Sequence, residues 1–256
     1  MKVALRALSI SLILLWLFVS MLLITVLYSA IRIEIGQVST ETEPTETGAR
    51  LIIDVPIHNR GFHDITDLEL SIDVVVELTG DVIMSSTSYV PIIRKGEEGH
   101  LVHVIELNLT EIAENERACR ALVLNDTNLI MIARISLTYA YMFRAEIEAN
   151  STSPWGAPMS GLTVSLELPG PGEGELVAIL SFENHASFSY SFQLEAFNHL
   201  GDSLGSSGTT DVYANSTFDG LAISIPVDTA LWTGSGYVLA HLFIGSAILT
   251  LEVARF

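Results

Sequence analysis

The chain reads as a mainly β protein behind a single N-terminal transmembrane helix, and three features of the sequence lead there. An uncharged apolar run stands near the start, short segments rich in Val, Ile, Leu, Thr and Tyr alternate with Gly, Asn, Asp and Pro after it, and the second half loosely repeats the first. A hydrophobic content of 49% and a mean hydropathy of +0.46 are high for a water-soluble chain of 256 residues. Part of that excess sits in one segment.

Ala7 to Ile31 is 25 residues long and carries no charge. As a helix at ~1.5 Å per residue it exceeds the ~30 Å hydrocarbon core, so residues 7–31 are expected to span the lipid bilayer. A cleaved signal peptide has a shorter apolar core and small residues before the cut, whereas a cut after Ala30 would leave the bulky Tyr28 close behind it. An anchor is therefore expected. Lys2 and Arg6 precede the helix and Arg32 follows it, which favours an N-terminus inside and everything after residue 32 outside the cell membrane.

Residues 1–36 form the cytoplasmic tip and anchor in this reading. The Thr/Glu-rich stretch that follows, "GQVSTETEPTETG" from Gly36 to Gly48, reads as a spacer over residues 37–48. From Ala49 the pattern is that of an all-β domain, with strands expected at Arg50 to His58, Leu68 to Leu78, Val82 to Val90, Leu101 to Leu107 and Ile130 to Glu148. In "LELSIDV" Leu68, Leu70, Ile72 and Val74 share one face while Glu69, Ser71 and Asp73 take the other. One short helix interrupts the strands: "NLTEIAENERACRAL" opens with Asn108 and Glu111 in capping-box spacing and carries Leu109, Ile112, Cys119 and Leu122 on one stripe.

The repeat sets the domain boundaries. "LIIDVPIHNRGFHDITDLELSI" (Leu51 to Ile72) lies over "LVAILSFENHASFSYSFQLEAF" (Leu176 to Phe197), with Asn59 on Asn184; "MFRAEIEAN" (Met142 to Asn150) lies over "ILTLEVARF" (Ile248 to Phe256). Two tandem β-sandwich domains are thus expected at 49–150 and 162–256, joined by a linker at 151–161. The uncharged stretch Thr229 to Leu251 competes as a second membrane helix, but Gly234 and Gly236 break its start and its unbroken run is shorter than the ~20 residues a span needs. A strand is expected there.

The segment "LIIDVPIHNRGFHDITDLELSIDVVVELTG" with its following strands and short helix resembles the β-sandwich of the LEA14/WHy (water-stress and hypersensitive response) group. The resemblance covers residues 50–148 and, more faintly, 174–256. The family usually has Asn-Pro at this corner, whereas Arg60 follows Asn59 here and His185 follows Asn184. What the resemblance implies is a non-enzymatic, immunoglobulin-like module; it carries over no catalytic residue.

Charge narrows the partners. Net charge is −18, and from Gln37 on there are 29 acidic against 9 basic side chains. Such a surface repels nucleic acid and anionic lipid headgroups. The single cysteine, Cys119, allows no internal disulfide and reads as a small buried core residue. Four N-glycosylation sequons, at Asn108, Asn125, Asn150 and Asn215, all fall on the expected outer side.

Metal chemistry has one candidate, His58, His63 and Asp64 around the Asn59-Arg60-Gly61 turn, and the second copy replaces these with Glu183, Phe188 and Ser189. His100 and His103, three apart on a strand, are expected on opposite faces. Glu97 and Glu98 read as a solvated hairpin, "GPGEGE" (Gly170 to Glu175) as a turn, and the Asn125, Asp126 and Asp202 loops lack regular calcium-ligand spacing. No nucleophile elbow, zincin helix, phosphate loop or dinucleotide glycine pattern occurs. The expected function is that of a membrane-anchored extracytoplasmic structural or binding protein with a protein partner, no cofactor and no catalysis. The alternatives are an accessory subunit of a membrane enzyme or transporter complex, and a membrane-tethered metal-dependent hydrolase.

Overall fold

The computed structural model describes residues 2–45, 48–170 and 174–256. Helix α1 runs Lys2–Ala30, followed by the short strand β1 (Ile33–Ile35), then β2 (Ser39–Thr45) and β3 (Gly48–Asn59). Apolar side chains point outward on all sides of α1, from Leu12 at 56% exposure to Trp16 at 65% and Ile24 at 65%. Its Leu12–Ser29 window has a mean hydropathy of 2.5, and among the described residues it is the one helix long and apolar enough to cross a membrane. An N-terminal helix with such a surface has the length and composition of a membrane span or of a signal sequence.

Next come β4 (Ile65–Val76), β5 (Val82–Ile93) and β6 (Glu98–Asn108), helices α2 (Leu109–Glu114) and α3 (Glu116–Leu124), and strands β7 (Thr127–Tyr139) and β8 (Phe143–Trp155). In the first half β3 is paired on one side with β6 and on the other with β1 and β2, while a second sheet runs β5-β4-β7-β8. The buried residues Leu68, Leu70 and Ile72 of β4 meet Ile57, Leu101 and Ile105 of the other sheet in one core.

The second half contains β9 (Ser160–Glu167), β10 (Glu175–Glu183), β11 (Tyr190–Asn198), β12 (Ser203–Ser206), β13 (Thr210–Val212), β14 (Thr217–Pro226), β15 (Gly236–Ile244) and β16 (Ala247–Arg255). One sheet is ordered β14-β10-β9; in the other, β12 and β13 both pair with β11, which is followed by β15 and β16. The strand order of the first half is thus reproduced, β10 standing for β3, β11 for β4 and β16 for β8. Alternation is strict here: in β11 Tyr190, Phe192, Leu194 and Ala196 are buried, and they pack on Leu176, Ala178 and Leu180 of β10.

Four sequence expectations are corrected. The stretch expected as a spacer forms β2 along Ser39–Thr45, which pairs with β3 from Ser39↔Asp54 to Thr45↔Gly48; residues 46 and 47 lie outside the described residues. Thr and Glu alternate there, and Thr has a strand-forming branch that compositional reading as a linker overlooked. The strand expected over Ile130 to Glu148 is the β7-β8 hairpin, turned at Ala140 and Tyr141, both with positive φ. The single helix is two, because Asn115 ends α2 and its side chain caps α3 by accepting from Ala118 N at 3.1 Å. The linker at 151–161 is ordered: β8 reaches Trp155, and Ala157 and Met159 are fully buried. The "GPGEGE" turn lies largely outside the described residues, and Thr229 to Leu251 carries the strand β15 and most of β16.

Helices α2 and α3 form a wedge between the halves. Ile112, Ala118, Ala121 and Leu122 pack on Val76 and Trp155 of the first half, while Cys119 and Val123 join the core of the second. Arg120 donates to the Glu252 carbonyl of β16 at 3.0 Å, so the helix is fastened across the junction.

Candidate functional site

The turn after β3 is built on one buried side chain. Asn59 is fully buried; its amide Nδ2 donates to the carbonyls of His63 (2.9 Å) and Ile93 (3.0 Å), and its Oδ1 accepts from Gly61 N (3.2 Å). Asn184 does the same in the second half, donating to Phe188 O (3.3 Å) and Tyr213 O (2.9 Å) and accepting from Ala186 N (3.0 Å). A buried amide that satisfies three main-chain groups is a strong reason for the chain to turn at these two positions.

One difference separates the two corners. Ala186 carries its methyl group in the core, whereas a Cβ on Gly61 would lie 2.9 Å from the Ser29 carbonyl oxygen and closer still to the Ser29 and Tyr139 hydroxyls. The space is taken by the end of α1. Ser29 is fully buried, its hydroxyl hydrogen-bonded to the Tyr139 hydroxyl and to Phe62 N, and Val26 and Leu22 pack into the first-half core. Tyr28 stacks on Phe62 with ring centroids 6.1 Å apart, and the Arg32 guanidinium lies 4.9 Å above the Tyr28 ring. The apolar helix is therefore docked on the corner, not merely tethered to it.

Around this junction several large side chains are uncovered. Phe62 (54%), Tyr141 (66%) and Met142 (64%) are exposed. The charged side chains of these turns are of both signs, with Arg60 paired to Glu34 at 3.2 Å and Arg94 to Glu97 at 4.0 Å. Asp64 ties the surrounding loops together, accepting from Lys95 N (2.9 Å) and Tyr141 OH (3.0 Å), and these hydrogen bonds hold its carboxyl below the usual carboxylate range.

The three candidate metal ligands do not converge. His58 pairs with Glu98 at 3.3 Å, Asp64 holds Lys95 N and Tyr141 OH, and His63 sets its ring edge-on to Tyr139 with Nε2 buried and unpartnered. Among the described residues no group of three His, Cys, Asp or Glu is placed to hold a metal ion. His100 and His103 do take opposite faces. His100 is exposed between Asp54 (3.0 Å) and Glu98 (3.4 Å), so Glu98 serves two histidines; His103 is fully buried between Ser86 (2.8 Å) and Ser88 (3.0 Å), where burial lowers its pKa. Cys119 is buried, and burial pushes its thiol up to about 11, so no thiolate is available there. Of the sequons, Asn125, Asn150 and Asn215 are exposed, while Asn108 caps α2 with its side chain.

One polar cluster was not legible from the sequence. His185, at the second corner, sits 2.7 Å from Asp126 and 2.7 Å from Glu183 through its two ring nitrogens, and Gly156 leaves the space for the His185 carbonyl. Hydrogen bonds to Asp126 and then Glu183 raise the His185 pKa. Burial alone would raise the Asp126 pKa, but hydrogen bonds from Ala157 N and His185 bring it below the usual value. The cluster ties the end of α3 to the second half, across 59 residues of sequence.

No protein-family model and no curated protein matches the chain. Among solved structures it is similar to a red sea bream transglutaminase, with 14% identity and a TM-score of 0.27 over 86% of this chain. It is also similar to an Amycolatopsis orientalis exo-chitosanase, with 10% identity and a TM-score of 0.26 over 83% of this chain. The chain spans 31% and 26% of those structures.

Proposed function

We propose that the chain is a single-pass membrane protein that holds two tandem immunoglobulin-like β-sandwich domains of the LEA14/WHy kind outside the cell and acts by binding, without catalysis. The observation that carries this reading is the docking of α1 through Ser29 onto Gly61 and Tyr139. A helix held this way fixes the orientation of the module above the bilayer. Phe62, Tyr141 and Met142 then fall at the headgroup level, where aromatic side chains are favoured.

The repeated strand order and the two asparagine corners support the tandem reading. The accessory-subunit reading has one observation of its own: the far edge of the first-half sheet leaves Met131 (38%), Ile135 (36%) and Ile147 (65%) uncovered. Protease added to intact cells tests the topology. Release of fragments from residues 33–256 with the anchor retained in the membrane is expected, and full protection would overturn the outside placement.

A further inference from the structure

Between the two halves, under α2 and α3, lies a cavity of about 490 Å³ walled by Leu107, Leu122 and Leu129 of the first half, Phe188 and Leu249 of the second, and the Trp155 ring. A volume of this size suits a small organic ligand, and water alone is poorly held by such walls. Trp155 spends its indole N–H on the Leu122 carbonyl at 2.8 Å, so it offers the cavity only its apolar ring. The wall also includes Thr45, whose hydroxyl is buried and has no hydrogen-bond partner in the protein. A buried hydroxyl of that kind costs free energy until something pairs with it.

A second cavity of about 280 Å³ shares the Leu107 and Leu129 walls and is lined further along the first half by Arg50, whose Nε is likewise buried and unpartnered. Two apolar cavities that share leucine walls suit a flexible chain better than a rigid ring system. Arg50 is already neutralised by Glu106 (3.3 Å) and Glu43 (3.8 Å), so the site offers hydrogen bonds without net positive charge.

We propose that this inter-half cavity binds an uncharged single-chain aliphatic alcohol, its hydrocarbon against Trp155 and Leu129 and its hydroxyl on Thr45. The site belongs to the junction of the halves and stands independently of the anchor and its topology. The full chain carrying Trp16→Phe and Trp232→Phe, in phosphatidylcholine nanodiscs, leaves Trp155 as the one tryptophan to report on it. Titration with 9,10-dibromo-octadecan-1-ol should quench Trp155 saturably. Thr45→Val should weaken binding about fivefold, the worth of one buried hydrogen bond. Ile83→Phe with Leu107→Phe, which fills the cavity, should abolish saturation while circular dichroism stays unchanged. Quenching that rises linearly in the unfilled protein, an affinity that Thr45→Val leaves unchanged, or equal affinity for 9,10-dibromostearic acid would overturn the proposal.

Discussion

Gly61 and Ser29 are in contact: the backbone of the corner presses on the last turn of the apolar helix with no room for a side chain between them. The corresponding residue of the second half, Ala186, is buried with its methyl group and gives its N–H to Asn184 Oδ1. The glycine is thus explained by what docks on it, not by turn geometry.

Gly61→Ala should destabilise the full chain by about 1 to 3 kcal/mol, the usual cost of forcing an atom into a packed site. Thermal unfolding of the protein in lipid checks this. Arg60→Ala, next door and exposed, should be close to neutral.

Ser29 and Tyr139 share a buried hydrogen bond between hydroxyls, and Ser29 also receives Phe62 N. Ser29→Ala and Tyr139→Phe should each lower stability, and the double variant by less than their sum. A double-mutant cycle should return a coupling of about 1 kcal/mol; strict additivity would mean that the two side chains do not interact.

Asn59 and Asn184 are each at the centre of three main-chain hydrogen bonds. Replacement by Ala strands two buried carbonyls and one N–H, so each variant should lose roughly 3 kcal/mol or more in denaturant unfolding. Asp in either place, which cannot donate, should rescue little.

The two histidines with shifted pKa values predict opposite pH responses. His185 is raised above the ordinary 6.5, so its clamp on Asp126 and Glu183 contributes fully below that value and is lost as pH rises through the raised pKa. The cluster is largely solvent-exposed, which limits the effect to about 1 kcal/mol or less. His103 is lowered from 6.5 by burial, so the unfolded chain takes up the proton first and stability falls as pH drops below 6.5. His185→Ala should remove the first response and His103→Asn the second, read from melting temperature against pH.

Much of the fold was legible because it rests on local pattern. The alternation in β4 marked its buried face, the charge-free run marked α1, and Asn59 over Asn184 marked two corners with the same hydrogen bonds, since a buried amide serves the same main-chain groups in each. The rest depended on contacts distant in sequence. Nothing near Ser29 announces Tyr139, 110 residues away, and nothing near Asp126 announces His185. β2 was missed because edge strands have a polar composition like that of linkers. The histidines drew attention to the right corner for a chemical reason that the structure does not bear out, since each serves a different partner.

Cross-linking between the helix and the corner tests their contact most directly. In a Cys119→Ala background, Tyr28→Cys with Phe62→Cys places two thiols where the rings now stack at 6.1 Å. A short bifunctional thiol reagent applied to the full chain in lipid vesicles should close an intramolecular link in most molecules, and Gly61→Val should reduce it. Absence of the link in the unaltered corner, or a link formed only between molecules, would contradict the docked anchor.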